Sequence, residues 1–300
     1  MTDVRPAMTR PDAVRAAVRA RGWVLDVDGC LVRTATAGGT GGVPIPGAVE
    51  LLRWLRRSER DFIVCTNASQ RPVQDYAKHL RAIGLDVADG EMMTAATAAA
   101  DHIAIHHRGL SVLVVGDRGL EAALLERQIE LAQPGGAPAG VVVVGAADVY
   151  ASSVLNAACL AIADHGAAFY VTVDTPWFHG GIGRSIASSS AIAAAIAAVT
   201  GRKAEVCGKP SPAIGEVLQS RLGGDGSRIV VVGDMASIEI RLAHQMGALG
   251  VLVMSGGTSA AEIPGLEPTH RPHLQVADVG ALVELIKTIE PQGDNNDQST

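Results

Sequence analysis

The chain has 300 residues, of which 48% are hydrophobic, 19% charged and only 3% aromatic, with a formal net charge of -6 at pH 7. That length allows one large domain or two ordinary ones, with a core built from Ala, Val, Leu and Ile. The acidic balance excludes nucleic acid as the main partner, because duplex binding relies on clustered Lys and Arg, and no such cluster occurs.

The opening residues, MTDVRPAMTRPD, carry no apolar leader pattern, and no stretch approaches eighteen consecutive strongly apolar residues. Secretion and membrane insertion are therefore not indicated, and the cytoplasm is the expected location. Residues 1–14 and 291–300, the latter reading PQGDNNDQST, are expected to be flexible termini. Cys30, Cys65, Cys159 and Cys207 are widely spaced with no CxxC, which suits a reduced compartment. Three of the four lie beside motifs described below, so buried packing and oxidative control are both open readings.

Along the chain, short Val- and Ile-rich runs alternate with Ala-rich helical stretches, the rhythm of βαβ units around a parallel sheet. Strands are predicted at GWVLDVD, DFIVCTN, SVLVVGD, GVVVVGA, AFYVTVD, RIVVVGD and GVLVMSG. Helices are predicted at AVELLRWLRRSE, EAALLERQIEL, SSVLNAACLAIADHG and IASSSAIAAAIAAVTG, several of them closed by Gly. The run from 34 to 47, TATAGGTGGVPIPG, is too Gly-rich to pack, and reads as a flap over a site or as an inert insertion. VVGD ends twice at an acid, Asp117 and Asp234, and VVVVGA at 141–146 echoes it. The flanks do not match, so this is strand-end chemistry, and open α/β sheets bind ligands at those ends.

The first strand ends in two acids, Asp26 and Asp28. Two carboxylates about 5 Å apart on one strand face repel by roughly 3 kcal/mol at an effective dielectric near 20. A cation or a proton shared with a reacting group would offset that. CTNAS adds a hydroxyl and amides, GKPSP adds Lys209, one of only four lysines, and VVGDMASIEI adds Asp234 and Glu239. A carboxylate nucleophile, a hydroxyl, a lysine and further acids together form a phosphoryl-transfer kit.

These fragments, DVDGCL, PIPGA, CTNAS, GKPSP and VVGD in that order, resemble the haloacid dehalogenase superfamily, and within it the NagD-like (subclass IIA) phosphatases. The resemblance spans roughly residues 20–288. It implies an α/β fold, a Rossmann-like parallel-sheet core at 15–84 and 205–290 with an α/β cap domain inserted at 85–204. It implies that Asp26 attacks phosphorus, that Asp28 is acid and then base, and that Thr66, the backbone around Asn67 and Lys209 hold the phosphoryl group. Mg²⁺ would take Asp26, the Asp28 carbonyl and Asp234, with Glu239 at its waters. Two departures stand out: Ile238-Glu239 replaces the usual Thr-Asp, which puts metal affinity in question, and Ala68 removes one amide from the phosphate grip.

The cap segment YVTVDTPWFHGGIGR corresponds to a loop that reaches over the site in relatives, so Asp174, Trp177, Phe178, His179 and Arg184 are candidate specificity residues. Packing or a dimer contact is the other reading of the same residues. Asp117 falls inside the cap and is expected to be structural. His102 and His106 lack an HExxH, GIGRSIA does not follow a strand directly, and GKP lacks the Ser or Thr of a nucleotide-binding loop. The expected function is Mg²⁺-dependent hydrolysis of a small phosphomonoester: a sugar phosphate, nucleotide monophosphate, glycerol phosphate, phosphoglycolate or pyridoxal phosphate. The alternative is a low-turnover phospho-accepting or ligand-sensing protein on the same fold. The partner is a small phosphorylated metabolite, neither nucleic acid nor membrane, and a homodimer through the cap is expected as a possibility.

Overall fold

The structure, a computed structural model, describes residues 8–34, 41–180 and 183–289, with the backbone alone at 179–180 and 183–184. The strands are β1 Gly22–Leu25, β2 Val32–Arg33, β3 Val43–Pro44, β4 Asp61–Thr66, β5 Met92–Thr94, β6 Val112–Val115, β7 Val141–Val144, β8 Ala168–Val171, β9 Trp177–Gly180, β10 Gly183–Ile186, β11 Glu205–Val206, β12 Ile229–Gly233, β13 Leu249–Val253 and β14 Leu274–Val276. The helices are α1 Arg10–Arg19, α2 Ala48–Arg57, α3 Val73–Ala82, α4 Ala95–His106, α5 Arg118–Leu125, α6 Ser152–His165, α7 Ser188–Thr200, α8 Pro212–Arg221, α9 Arg241–Gln245 and α10 Val279–Ile289.

Six strands form one parallel sheet in the order β14-β13-β12-β1-β4-β5. Its central strands are apolar on both faces because both are covered. Trp23, Leu25, Val230 and Val232 pack under α1, α2 and α10, while the alternate residues Val24, Ile229 and Val231 pack under α8 and α9. A second parallel sheet, β11-β8-β7-β6, has α6 and α7 against one face and α4 and α5 against the other. Two antiparallel pairs, β2 with β3 and β9 with β10, complete the framework.

Three sequence expectations shift. The core does not give way to the second unit at residue 85: β5 is the edge strand of the six-stranded sheet, and α4 is a wall shared by both units. Its run of buried Ala95, Ala96, Ala98, Ala99 and Ala100 lets backbone approach from both sides. On the return, Glu205 and Val206 pair with β8, so that unit reaches past residue 204. Nor is the start of the chain loose up to residue 14: α1 begins at Arg10, capped by Thr9, and buries Ala13, Val14, Ala17 and Val18. Residues 1–7, 35–40 and 290–300 lie outside the described residues, so the C-terminal tail and the middle of the 34–47 run are not addressed; the described end of that run does pack, with Val43 and Pro44 paired to β2 and Ile45 buried. Among the described residues no helix is long and apolar enough to cross a membrane.

Candidate active site

The strand run GWVLDVD stops at Leu25, so Asp26 and Asp28 do not share a strand face. Asp26 continues the sheet direction, its N–H donating to the Val232 carbonyl at 3.0 Å. The chain then folds into a tight turn in which Gly29 has φ +83°, a region that only glycine enters at low cost. A side chain at 29 would also press on Asp234 and on the Gly256 backbone, so this glycine lets the DxD turn meet the end of β12. Ser255 Oγ donates to the Gly29 carbonyl at 2.7 Å, and Gly257 N–H donates to Asp234 Oδ2 at 2.5 Å. Asp234 is thereby held against the turn that carries Asp26.

Lys209 is 1% exposed, and its ammonium uses its donors on Asp26 Oδ1 at 2.5 Å, Cys65 O at 2.8 Å and Glu239 Oε1 at 2.9 Å. Its backbone is fixed by a reciprocal pair, Lys209 N–H to Asn67 Oδ1 at 2.8 Å and Asn67 Nδ2 to Lys209 O at 2.9 Å. The Asn67 side chain is therefore spent on placing the lysine, and the backbone around it, the part expected at phosphate, stays beside the cavity. Gly208 is required next to it, because a Cβ there would overlap Thr172 O. Glu239 sits in a wide π turn, Ala236–Ile240, that follows β12. Its side chain crosses over Gly233, where a Cβ would overlap Glu239 Cγ, and ends with Oε1 on Lys209 and Oε2 accepting from Met235 N–H at 3.1 Å. Glu239, expected beside the metal's waters, thus has its longer side chain engaged by the lysine and by a backbone amide.

Three buried carboxylates, Asp26, Asp234 and Glu239, thus gather in one place, two of them, Asp26 and Glu239, paired with the buried ammonium. Burial works against the Lys209 charge, but Asp26 and Glu239 outweigh it and hold the ammonium well above its ordinary pKa. Burial pushes Glu239 up, Lys209 draws it down and Asp26 repels it, leaving it at about 7. Asp234 is pushed well above the carboxylate range by burial, then by Asp26 and Glu239, against the Gly257 amide. This surplus of buried negative charge is what a divalent cation would relieve. Among the described residues no three His, Cys, Asp or Glu side chains form a ready-made cluster. Two hard carboxylates beside a turn carbonyl, with water completing the shell, is a set that Mg²⁺ accepts.

A cavity of about 430 Å³ opens over this cluster. Asp26, Asp28, Thr66, Asn67, Lys209, Asp234 and Glu239 all border it on the core side. Thr66, at the end of β4, is buried, and its Oγ1 accepts from the Ala68 N–H at 3.2 Å. Asp28 is half-buried at the margin and takes a hydrogen bond from Thr34 Oγ1 at 2.6 Å.

The opposite wall comes from the second unit. Trp177 and Phe178 on β9 line it, together with Ser185 and Ile186 opposite them on β10. Asp174 does not: it is exposed, and its backbone carbonyl accepts from Ser190 Oγ at 3.0 Å. His179 and Arg184 pair across the same hairpin, and their side chains lie outside the described residues. Asp117 heads α5 away from the cavity. Sequence reasoning missed Asp148, which lines the cavity beyond β7 and accepts from Gln70 Nε2 at 3.3 Å, and Ser69, whose Oγ accepts from Ala146 N–H at 2.9 Å. The third strand end, VVVVGA, was the available signal for Asp148, and the end of CTNAS the signal for Ser69. His102 and His106 stack on one another at 4.3 Å between ring centres, beside Tyr170, far from these residues in the fold.

The arrangement offers a buried carboxylate facing a cavity, an ammonium against it, a hydroxyl on one side and a second acid at the margin, which suits attack on a phosphorus centre. Comparison with known proteins finds phosphatases among the relatives. The model of haloacid dehalogenase-like hydrolases matches residues 23–130, and an HAD-hydrolase-like model matches 206–282. The ribonucleotide monophosphatase NagD of Escherichia coli K12 is 30% identical over 244 residues, covering 81% of this chain and 91% of that protein. Chronophin of Bos taurus is 28% identical over 283 residues, covering 89% and 93%. Among solved structures, a glycerol phosphate phosphatase of Mycobacterium tuberculosis in complex with magnesium superposes with a TM-score of 0.78 at 25% identity, covering 89% of this chain and 77% of that one.

Proposed function

The chain belongs to the NagD-like branch of the haloacid dehalogenase-like hydrolases and is a phosphoric monoester hydrolase; from that premise we propose that it cleaves a small phosphomonoester through a phosphorylated Asp26 and uses Mg²⁺. The observation that carries the reading is the position of Asp26, at the end of the central strand, against Lys209 and open to the cavity.

In the first half-reaction an Asp26 carboxylate oxygen attacks phosphorus. The bond from phosphorus to the ester oxygen breaks, its electron pair stays on that oxygen, and the proton of the Asp28 carboxyl goes there, so that an alcohol leaves. In the second half Asp28 takes a proton from water, the resulting hydroxide oxygen bonds to phosphorus, and the link to Asp26 breaks. Lys209 holds the Asp26 carboxylate in place through Oδ1 and offsets charge on the transferring group. Thr66 and the amides that follow it bind the non-bridging oxygens. Asp26, Asp234 and the Asp28 carbonyl would hold the metal ion, which when bound neutralises the phosphoryl oxygens and relieves the crowded carboxylates.

The leaving group would lie against Trp177 and Phe178, with Asp148 and Gln70 as polar contacts, within a cavity of about 430 Å³. That room suits the monoesters of small metabolites: a sugar, a nucleoside, glycerol, glycolate or pyridoxal. The low-turnover alternative rested on Glu239 and Ala68. Glu239 is paired to Lys209 and stays within the catalytic cluster, and the loss of a side-chain amide at Ala68 leaves that residue's backbone N–H beside Thr66, so we read the site as active.

Release of phosphate from p-nitrophenyl phosphate with and without Mg²⁺, using Asp26→Asn as control, tests the proposal. Activity that requires the metal and falls by more than about 10³-fold in the variant is expected. Release by Asp26→Asn at the parent rate would overturn it.

A further inference from the structure

The Asp28 carboxylate is steadied by a residue that none of the motifs contains. Thr34 Oγ1 donates to Asp28 Oδ1 at 2.6 Å. Both residues are half-buried, and both border a void of about 20 Å³ with Thr66, Tyr76 and His79. A void of that size holds a water molecule at most. Asp28 also lines the large cavity, so its side chain stands between the two spaces, with the hydroxyl gripping it from the smaller one.

Thr34 is well placed to do this because the backbone around it is tied down. Asp28 forms a bridge with Val32, and Val32 and Arg33 pair antiparallel with Pro44 and Val43, so Thr34 leaves the end of a short ladder. Gly42, at φ +106°, comes so close that a Cβ would lie 2.7 Å from Arg33 O, which holds the returning segment beside Thr34. Gly41 N lies 3.1 Å from His79 Nε2 on α3, a second anchor for that segment.

We propose that Thr34 is a positioning residue for the acid carboxylate: its hydroxyl fixes the Asp28 side chain so that the proton reaches the leaving oxygen as the ester bond breaks. This rests on the reading of Asp28 given above. Thr34 exchanges no proton with substrate; it orients the group that does. Its contribution therefore scales with how much the leaving group needs a proton. Phenolate, a poor leaving group, needs it; nitrophenolate, which is stable as the anion, needs it far less.

The test compares kcat/KM, which reports on steps through the first bond cleavage, for phenyl phosphate and p-nitrophenyl phosphate. These have nearly the same shape, so differences in binding largely cancel. Thr34→Val keeps the side-chain volume and removes the hydroxyl. It is expected to lose about tenfold or more on phenyl phosphate and less than about threefold on p-nitrophenyl phosphate, and Thr34→Ser should restore both. Equal losses on the two esters, no loss on either, or failure of Thr34→Ser to restore activity overturns the proposal. Asp28→Asn separates the two levels. If it discriminates between the esters and Thr34→Val does not, the positioning role alone is wrong. If Asp28→Asn falls equally on both, the assignment of Asp28 as the acid is wrong, and the role of Thr34 goes with it.

Discussion

The Glu239 side chain runs directly over the backbone of Gly233, and only the missing Cβ at 233 leaves room for it to reach Lys209. The glycine of VVGD thus serves the acid five residues beyond Asp234 as much as the turn itself.

Gly233→Ala should displace that carboxylate. We expect kcat for p-nitrophenyl phosphate to fall by about tenfold or more, because the lysine loses one of its two anionic partners. Overpacking of a buried strand end should cost roughly 1–3 kcal/mol of stability. Denaturant unfolding alongside kinetics checks both. An alanine variant with parent activity would show that Glu239 has no part in setting the ammonium.

The two acids of this segment should separate in a metal titration. Asp234→Asn is expected to raise the Mg²⁺ concentration needed for half-maximal activity by more than about tenfold, whereas Glu239→Gln should change it by less than about threefold while lowering kcat. Phosphate release measured across a Mg²⁺ series distinguishes them; equal shifts would mean that Glu239 serves the metal after all.

The thiols should be largely inert. Burial pushes Cys65 and Cys207 to about 12 and Cys30 well above its ordinary value, and all three are buried. Cys159 is only half-buried on α6. At pH 8 an aromatic disulfide reagent should titrate one thiol in the native protein, and Cys159→Ser should abolish that reaction. Rapid reaction of three or four thiols would reopen oxidative control.

The far end of α4 should make the fold sensitive to acid. His102 is lowered by burial and then by His106 and His107; His107 is lowered by burial and then by His106, with Glu205 opposing in both cases. His107 Nε2 also lies 2.8 Å from the Tyr170 hydroxyl. A folded pKa below the unfolded value of about 6.5 means that the unfolded chain takes up protons first. The stability these residues confer is present above that value and lost as pH falls below it toward the folded pKa. Melting temperatures recorded between pH 7.5 and 5.5 should fall less steeply for His102→Asn/His107→Asn than for the parent; parallel slopes would remove the histidines from the account.

How far the sequence told this in advance depends on burial. Strands such as RIVVVGD and GVVVVGA are covered on both faces and read as unbroken apolar runs, so the parallel architecture was legible. Met92–Thr94 and Glu205–Val206 were not: two or three residues are too few to show a period, and both strands lie at sheet edges. The helix α4 showed no amphipathic stripe because it is packed from two sides. At the site, Asp26, Asp28, Thr66, Lys209 and Asp234 announced themselves as chemistry at strand ends. The service of Asn67 to Lys209, of Glu239 to the same ammonium and of Thr34 to Asp28 did not, since the first two span 142 and 30 positions and the third lies beyond the motif.

Lys209 stands three residues beyond the last strand of the second sheet, with Gly208 N–H still bonded to Thr172 O of that unit at 2.8 Å and Asn67 of the core gripping the next peptide. The lid's return tether and the enzyme's charge balance are consequently one piece of chain. Any swing of the upper lobe that pulls on this tether also pulls on the ammonium, so grafting a foreign lid would demand preservation of this joint and not merely of the lobe's shape.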